Sequence, residues 1–171
     1  MIKTILADPP WPNQHNGPSS WSKKIPQDKY NLMTILEIKK MSDWINSISD
    51  EQCHLWLWII NNKLPEGIEV MENWGFKYIT NLVWVKNHFG IGQYLRSQHE
   101  ILLFGRKGKP QPFKHKRNIP SILCADRREH SRKPDEIYDI IERISYPPYL
   151  ELFARKPKHR ENWEYWGHEA K

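Results

Sequence analysis

The chain has 171 residues, 39% hydrophobic and 27% charged, a composition that excludes a disordered chain and predicts one globular domain over residues 1–171. Its net charge of +6 at pH 7 points to a polyanionic partner. Its two cysteines form no CxxC pair, so we expect no disulfide framework. Its longest apolar run is the six residues LWLWII, which is too short for a membrane helix. Its first apolar stretch stops at Asp8, too early for a secretory signal.

Apolar runs and helical spacing predict strands that alternate with helices. The predicted strands cover residues 2–7, 54–60, 78–86, 99–105, 121–125 and 149–154. Helices are predicted after the Thr34–Glu37 capping box, from Pro65 to a stop at Gly75, and from Pro134. Because several strands are near-continuous apolar runs, we expect an α/β fold with a mostly parallel sheet and helices on both faces.

Two long polar connections, residues 11–33 and 87–98, lie beside the ends of predicted strands. Ligands of α/β proteins bind in the crevices outside the carboxyl ends of their strands. Loops that contain Gly or Pro and polar residues also carry much of the function of such proteins. We therefore expect a site at these connections.

A basic segment, residues 106–133, holds ten Lys or Arg residues and two acidic residues, which is a local charge of +8. Charge runs are most often solvated loops, but Gln111, Phe113 and histidines interleave this one, which favours nucleic acid. The residues assigned to nucleic-acid contact are Tyr30, Arg106, Lys107, Lys114, Lys116 and Arg117. For Tyr30, in the long loop after the first strand, a packing role remains an equal alternative.

Asp8-Pro9-Pro10-Trp11 follows the first predicted strand directly. The prolines have no backbone N–H, so this turn presents acceptors, above all the Asp8 carboxylate. Trp11 would add a flat face on which a base can stack, worth about 1–3 kcal/mol. These residues suit an amino-bearing nucleobase, whose weakly nucleophilic amine needs positioning toward a methyl sulfonium more than it needs a strong base. A merely rigid turn is the alternative for an isolated Asp-Pro-Pro.

Over nearly its whole length the chain resembles the DPPW-type adenine-N(6) methyltransferases, a family with many small bacterial and phage members. Besides DPPW, the motifs that carry the resemblance are LWLWIINN (55–62), WGFKYITNLVWVK (74–86), GQYLR (92–96), HE (99–100), RKPDEIYDIIERIS (132–145), LELFARKP (150–157) and NWEYWGHE (162–169). The resemblance implies a Rossmann-like class I fold in permuted order, with the catalytic motif before the cofactor motif.

The resemblance also implies a cofactor and a set of site residues. The cofactor is S-adenosylmethionine, with S-adenosylhomocysteine as the product. Independently of the resemblance, we expect no metal site, because the eight histidines show no HxxxH or His–Cys ligand spacing. The implied catalytic residues, which form the pocket for the target amine, are Asp8, Pro9, Pro10 and Trp11. The implied cofactor-binding residues are Asp8, Lys133, Arg155, His168 and Glu169.

The predicted activity is therefore methylation of the 6-amino group of adenine in nucleic acid, and the short chain favours DNA. Three alternatives stay open: adenosine in RNA, the N(4) amine of cytosine, and a catalytically silent nucleic-acid-binding partner subunit. The intact DPPW favours an active enzyme. We expect a protein of the cytoplasm of a bacterial or phage-infected cell, and we leave a homodimer open because family members often pair.

Overall fold

The computed structural model of the chain describes residues 1–12, 32–90, 94–110, 118–127, 132–155, 157, 159–167 and 170. Its strands are β1 (Ile2–Ala7), β2 (Ser49–Ile59), β3 (Lys77–Val85), β4 (His99–Lys107), β5 (Ile122–Cys124), β6 (Tyr149–Leu152) and β7 (Trp163–Trp166). Its α-helices are α1 (Ile35–Lys39), α2 (Ser42–Ile48), α3 (Leu64–Asn73) and α4 (Glu136–Ile144), and a 3₁₀ turn, Asn61–Lys63, precedes α3.

The strands of the described residues form one sheet in the order β5-β3-β4-β2-β1-β6-β7. β1 pairs in parallel with β2 and β6, and two further parallel pairs join β6 to β7 and β3 to β5. β4 pairs antiparallel with both of its neighbours, β2 and β3. β4 alone among these strands is therefore reversed, which confirms the mostly parallel sheet and brings the start of β4 to the edge where the other strands end.

The two faces of the sheet carry separate cores, as expected when helices cover both faces. The first core, which includes Ile5 and Leu57, packs against α1, α2 and α3. The second core, which includes Leu6 and Trp58, packs against α4. Neighbouring residues of β1 point into opposite cores because successive side chains alternate along a strand. This explains why β1 reads as an unbroken apolar run.

The elements differ from the predicted ones in three places. The helix predicted after Thr34 is two short helices, because Ser42 begins a new helix where the polar pair Ser-Asp favours a first turn over a helix interior. β2 begins at Ser49, five residues before its predicted start, in a mostly polar stretch in which Ser49 is buried and Glu51 and Gln52 are exposed. β7 was not predicted, since a four-residue strand with one buried tryptophan gives little periodic signal.

Gly67 lets α3 lie close to the end of β2. A Cβ at this position would lie 2.5 Å from Cγ2 of Ile59, which is buried, and 3.4 Å from Cδ1 of Leu103. We expect Gly67→Ala to lower the free energy of unfolding by about 1–2 kcal/mol, because overpacking of about 1–3 kcal/mol outweighs the gain of about 0.5–1 kcal/mol in helix propensity. Urea unfolding measures this, with Glu72→Ala on the exposed side of α3 as the control. A Gly67→Ala protein as stable as the wild type would contradict the close approach.

Candidate active site

The candidate site lies at the edge of the sheet where β1, β3 and β6 end. Asp8 directly follows β1, and Arg155 comes shortly after β6. Lys86 directly follows β3, and Glu100 lies near the start of β4, which reaches this edge because it is reversed. Lys133 lies in the segment that leads into α4. Side chains from five parts of the chain therefore meet at one place.

Four charged side chains form a continuous row across this edge. Asp8 Oδ2 lies 2.8 Å from the Lys133 ammonium, which lies 3.2 Å from Glu100 Oε2. The other oxygen of Glu100, Oε1, accepts a hydrogen bond from the Lys86 ammonium. All four side chains are only 18–20% exposed. The row alternates in sign and is neutral overall, which offsets the desolvation that each charge suffers.

The row shifts the pKa of each of its central members. Burial raises the pKa of Asp8, although the Lys133 ammonium opposes that shift. Burial alone would lower the pKa of Lys133, but the carboxylates of Asp8 and Glu100 outweigh it, and the pKa is raised. Burial alone would raise the pKa of Glu100, but the ammonium groups of Lys133 and Lys86 hold that pKa below its ordinary value. Lys133 and Glu100 are therefore charged at neutral pH.

Two buried tryptophans lie under the two lysines. The Lys133 ammonium is 5.5 Å from the centre of the Trp58 ring, and the Lys86 ammonium is 4.7 Å from that of Trp84. The two rings meet edge to face, with their centres 6.1 Å apart. A cation over an indole face is stabilised by the ring quadrupole. Both tryptophans are core residues that also support the ammonium groups.

Residues 8–11, called the acceptor turn below, present no backbone donor outward. Pro9 and Pro10 have no N–H, and the N–H of Trp11 donates to the Pro9 carbonyl at 2.8 Å. The Pro10 carbonyl accepts from the N–H of Met33 at 3.0 Å. The Asp8 carboxylate is thus the chief acceptor that the turn offers to a ligand. One of its oxygens is bonded to Lys133.

Trp11 lies inside the first core. Its side chain is 5% exposed, and its indole N–H donates to the Trp58 carbonyl at 2.7 Å. Its observed role is to anchor the acceptor turn to β2. The stacking on a base that the sequence suggested stays a prediction, and this buried arrangement presents little ring surface for it.

A partly open pocket adjoins the acceptor turn, and its empty volume of about 360 Å³ includes space open to solvent. Its principal lining side chains are Asp8, Lys133, Tyr138, Glu151, Phe153 and Arg155. The pocket therefore brings together Asp8, Lys133 and Arg155, the described residues predicted to hold the cofactor.

Glu151 was missed by the sequence analysis. It lies on β6, and Oε2 accepts a hydrogen bond from the Tyr138 hydroxyl at 2.7 Å. Burial raises the pKa of Glu151 to about 7, and the nearby Asp8 carboxylate adds to the rise. Burial and Glu151 in turn raise the pKa of Tyr138. An acidic residue between two leucines of a buried strand is the signal that could have identified it.

Lys86 and Glu100 were also missed as site residues. Both lie within motifs that support the family resemblance, but neither belongs to the DPPW or KPDEIY motif. The sequence placed Glu100 only within the strand predicted over residues 99–105. Only the reversed direction of β4 brings Glu100 to the acceptor turn.

The two described members of the predicted basic surface lie far from the acceptor turn. Arg106 and Lys107 end β4, whose carboxyl end lies at the opposite edge of the sheet because that strand is reversed. From Glu100 to Arg106 the strand covers about 20 Å at about 3.3 Å per residue. The Lys107 ammonium donates to Asn46 Oδ1 at 2.7 Å. The structure does not bring these two residues to the pocket.

Six predicted site residues lie outside the described residues, and their roles stay predictions. They are Tyr30, Lys114, Lys116, Arg117, His168 and Glu169. In the part of the chain that the structure describes, no cluster of three or more His, Cys, Asp or Glu side chains could hold a metal ion. No helix among the described residues is long and apolar enough to cross a membrane.

The sheet order, the reversed strand and the charged pocket at the carboxyl edge define a Rossmann-like α/β fold of the methyltransferase type. The MT-A70 family model matches residues 2–169, and the chain belongs to that family. This confirms the resemblance seen in the sequence motifs.

Three relatives illustrate the range of the family. The chain is 30% identical to the type II methyltransferase M.MunI of Mycoplasma sp, over 96% of this chain and 76% of that protein. It is 30% identical to the N(6)-adenosine-methyltransferase catalytic subunit METTL3 of Homo sapiens, over 93% of this chain and 26% of that protein. It is 31% identical to the N(6)-adenosine-methyltransferase MT-A70-like of Arabidopsis thaliana, over 93% of this chain and 22% of that protein. The chain thus spans about a quarter of the length of the adenosine methyltransferases.

We expect Trp11→Ala to lower the free energy of unfolding by about 3–5 kcal/mol, because it removes a large buried ring from the first core. Trp11→Phe keeps most of the ring but loses the N–H that bonds to Trp58, and we expect a smaller loss of about 1–3 kcal/mol. Denaturant unfolding measures both. If Trp11→Ala unfolded at the wild-type midpoint, the ring would not be a packing anchor, and stacking on a base would become its main role.

The raised pKa of Glu151 predicts a pH-dependent effect of Glu151→Gln on stability. The pKa of this carboxyl is about 7 in the folded protein against an ordinary 4.5, so the folded state retains the proton to higher pH. The stability contributed by neutral Glu151 is complete below about pH 4.5 and is lost as the pH rises through about 7. We therefore expect the free energy of unfolding of Glu151→Gln, relative to wild type, to increase from pH 5 to pH 8.

Denaturant unfolding at several pH values measures this difference. Glu164→Gln, at an exposed position of β7, is the control. A Glu151→Gln difference that stayed constant over this range would show that the Glu151 carboxyl is not desolvated in the folded protein.

Proposed function

We infer that this protein transfers a methyl group from S-adenosylmethionine to the 6-amino group of adenine in nucleic acid, with DNA as the preferred substrate. The observation that supports this most strongly is the Asp8 carboxylate. It lies in a turn without outward donors and borders a pocket that contains charges of both signs. Membership of the MT-A70 family supports the same conclusion.

Asp8 is suited to hold an amine. Lys133 bonds to its Oδ2, and we assign Oδ1 to accept an N–H of the adenine amine. The prolines of the acceptor turn stiffen the chain on which this carboxylate is held, so little reorganisation accompanies binding. A hydrogen bond to a charged acceptor contributes about 1.5–3 kcal/mol. Such a bond orients the lone pair of the amine nitrogen, and orientation is the main requirement of this methyl transfer.

The pocket residues suit the functional groups of S-adenosylmethionine, which carries a carboxylate, an ammonium and ribose hydroxyls. Lys133 and Arg155 are the cations that we assign to the carboxylate. Glu151, whose pKa is raised to about 7, can accept or donate a hydrogen bond near neutral pH and is suited to a ribose hydroxyl. The bound cofactor supplies a methyl group activated by its positively charged sulfur. Lys133 contacts Asp8 as well and thus links the cofactor pocket to the acceptor turn.

The choice of DNA rests on the relatives. The chain spans 76% of the bacterial type II methyltransferase but only 26% of the human N(6)-adenosine-methyltransferase subunit. A base within duplex DNA would have to leave the stack to reach Asp8, as in other enzymes that modify bases. Adenosine in RNA is the second candidate, favoured by the names of the adenosine methyltransferases at similar identity.

The test is incubation of the protein with isotopically labelled S-adenosylmethionine and matched DNA and RNA oligonucleotides, followed by mass analysis of the released nucleosides. We expect label in N(6)-methyldeoxyadenosine. Label in N(6)-methyladenosine would show that RNA is the substrate. Label in N(4)-methylcytosine would show that the target is cytosine and not adenine. Absence of label in every oligonucleotide, with cofactor and nucleic acid both bound, would contradict the proposed activity and identify a catalytically silent binding subunit.

We expect Asp8→Asn to reduce kcat for methyl transfer roughly 100-fold, because it removes the charged acceptor of the amine, a change of about 2.7 kcal/mol in transition-state stabilisation. Asp43→Asn, at an exposed position in the first turn of α2, is the matched control and should keep wild-type kcat. Steady-state kinetics measures both variants. Unchanged kcat in Asp8→Asn would show that the Asp8 carboxylate has no role in methyl transfer.

We expect Lys133→Ala and Arg155→Ala to weaken the affinity for S-adenosylmethionine about tenfold or more, since each removes a cation from the pocket. Isothermal titration calorimetry measures the dissociation constants, with circular dichroism to check the fold. The control is Lys39→Ala, which breaks the surface ion pair between Lys39 and Glu69. Wild-type affinity in both pocket variants would show that the cofactor binds elsewhere.

A further inference from the structure

We propose that Glu100, oriented by Lys86, is a positioning residue that holds the ammonium of Lys133 against the Asp8 carboxylate. The inference deepens the proposed function, because it concerns how the acceptor of the adenine amine is kept in place. Glu100 itself does not contact the substrate in this proposal. It acts on Asp8 through Lys133.

The geometry of Glu100 supports this role. One carboxylate oxygen bonds to Lys86 and the other lies 3.2 Å from the Lys133 ammonium. With each oxygen directed at a different lysine, the orientation of the carboxylate is determined from two sides. Both oxygens are therefore engaged by protein cations. This distinguishes Glu100 from Asp8, of which only Oδ2 is engaged by Lys133.

Lys86 is held firmly opposite Glu100. Trp84 is the register partner of Glu100 in the β3–β4 pair, so Lys86 lies just beyond that pair at the end of β3. The Lys86 N–H donates to the Gln98 carbonyl at 2.8 Å, and the Gln98 side-chain amide donates back to the Lys86 carbonyl at 3.1 Å. The Lys86 ammonium also lies over the Trp84 ring. This arrangement gives Glu100 a well-defined partner on its far side.

Lys133 needs such support. It lies outside the sheet, in the segment before α4, and a lysine has a long flexible stem and a point charge without preferred direction. Among the described residues, three groups surround its ammonium: the carboxylates of Asp8 and Glu100, and the face of the Trp58 ring. Asp8 must also serve the substrate, so Glu100 is the carboxylate that remains dedicated to Lys133. Without it the ammonium would keep one ionic contact in place of two.

The charge of Glu100 also acts on the titration of its neighbours. The charged groups that affect Asp8 are Lys133, Glu100, Arg155 and, on β6, Glu151. Of these, Glu100 raises the pKa of Asp8, and it raises the pKa of Lys133 too. Loss of Glu100 should therefore lower the pKa of Lys133. The pKa of Asp8 should rise, because Lys133 lowers it more than Glu100 raises it, and the effect of Lys133 weakens once its ammonium is no longer held against Asp8. A residue that acted on Asp8 by its charge alone would have the opposite effect, and its loss would lower the pKa of Asp8. A residue that only stabilised the fold would reduce activity without moving either pKa.

The experiment compares Glu100→Gln with wild type and with Glu69→Gln. Glu69 forms an ion pair with Lys39 between α3 and α1, away from the pocket, so its loss is the matched control. We expect Glu100→Gln to lower kcat/KM for methyl transfer about tenfold and to narrow its pH profile, with the acidic limb at higher pH and the alkaline limb at lower pH. Glu69→Gln should show the wild-type rate and profile.

A double variant separates positioning from simple charge balance. Glu100→Gln leaves Lys86 unpaired and could impair folding, whereas Lys86→Met with Glu100→Gln removes one charge of each sign and keeps the Asp8–Lys133 pair. If Glu100 served only to neutralise Lys86, the double variant would regain the wild-type rate and pH profile, which would overturn the proposal. We expect it to fold and to keep the tenfold loss and the shifted limbs.

A second measurement does not depend on activity. In protein labelled with ¹³C at the aspartate carboxyl carbon, the Asp8 signal is assigned by its loss in Asp8→Asn. We expect Asp8 to titrate at higher pH in Glu100→Gln and in the double variant than in wild type or Glu69→Gln. An unchanged or lower midpoint in the folded variants would overturn the inference. If wild type transferred no methyl group to any oligonucleotide, the proposed function would fail, while this titration would still decide the role of Glu100.

Discussion

The contact between the Asp8 carboxylate and the Lys133 ammonium, 2.8 Å across, joins the end of β1 to the segment that leads into α4. Asp8 belongs to the acceptor turn and, together with Lys133, lines the pocket; we propose that the turn binds the substrate amine and the pocket binds the cofactor. Both groups are largely removed from water, so each needs the other to offset its desolvation. This mutual dependence makes the pair the junction between the two halves of the site.

The reversed strand β4 supplies Glu100, the second carboxylate beside the Lys133 ammonium. Were β4 parallel to its neighbours, its carboxyl end, with Arg106 and Lys107, would lie beside the acceptor turn. Reversal brings Glu100 there instead and places those two basic residues at the opposite edge. A carboxylate between two lysines makes the row neutral, whereas further lysines and arginines would have left Asp8 within a strongly positive cluster. Strand direction thus determines the charge of the active site.

Much of the candidate site could be read from short motifs, because the chemistry of DPPW lies in residues that are adjacent in the chain. Two proline rings and one carboxylate act locally, so their meaning does not depend on the remainder of the fold. The role of Trp11 depended on its surroundings: an indole after two prolines suits both stacking on a base and packing in a core. Its burial and its bond to the Trp58 carbonyl belong to the packing of β2 against the turn. Glu151 was missed for a similar reason, since a single acid within LEL shows no sign of the pocket beside it.

The amino-acid sequence by itself determined the alternation of strands and helices, the two-sided burial of β1 and the donor-poor turn after it. These properties depend on apolar periodicity and on covalent features of proline, which act over a few residues. Only the tertiary structure decided which distant charges meet, since that depends on strand order and on the direction of β4. The row formed by Lys86, Glu100, Lys133 and Asp8 exists because four segments meet at one edge of the sheet. Burial there strengthens charge interactions that would be weak in water.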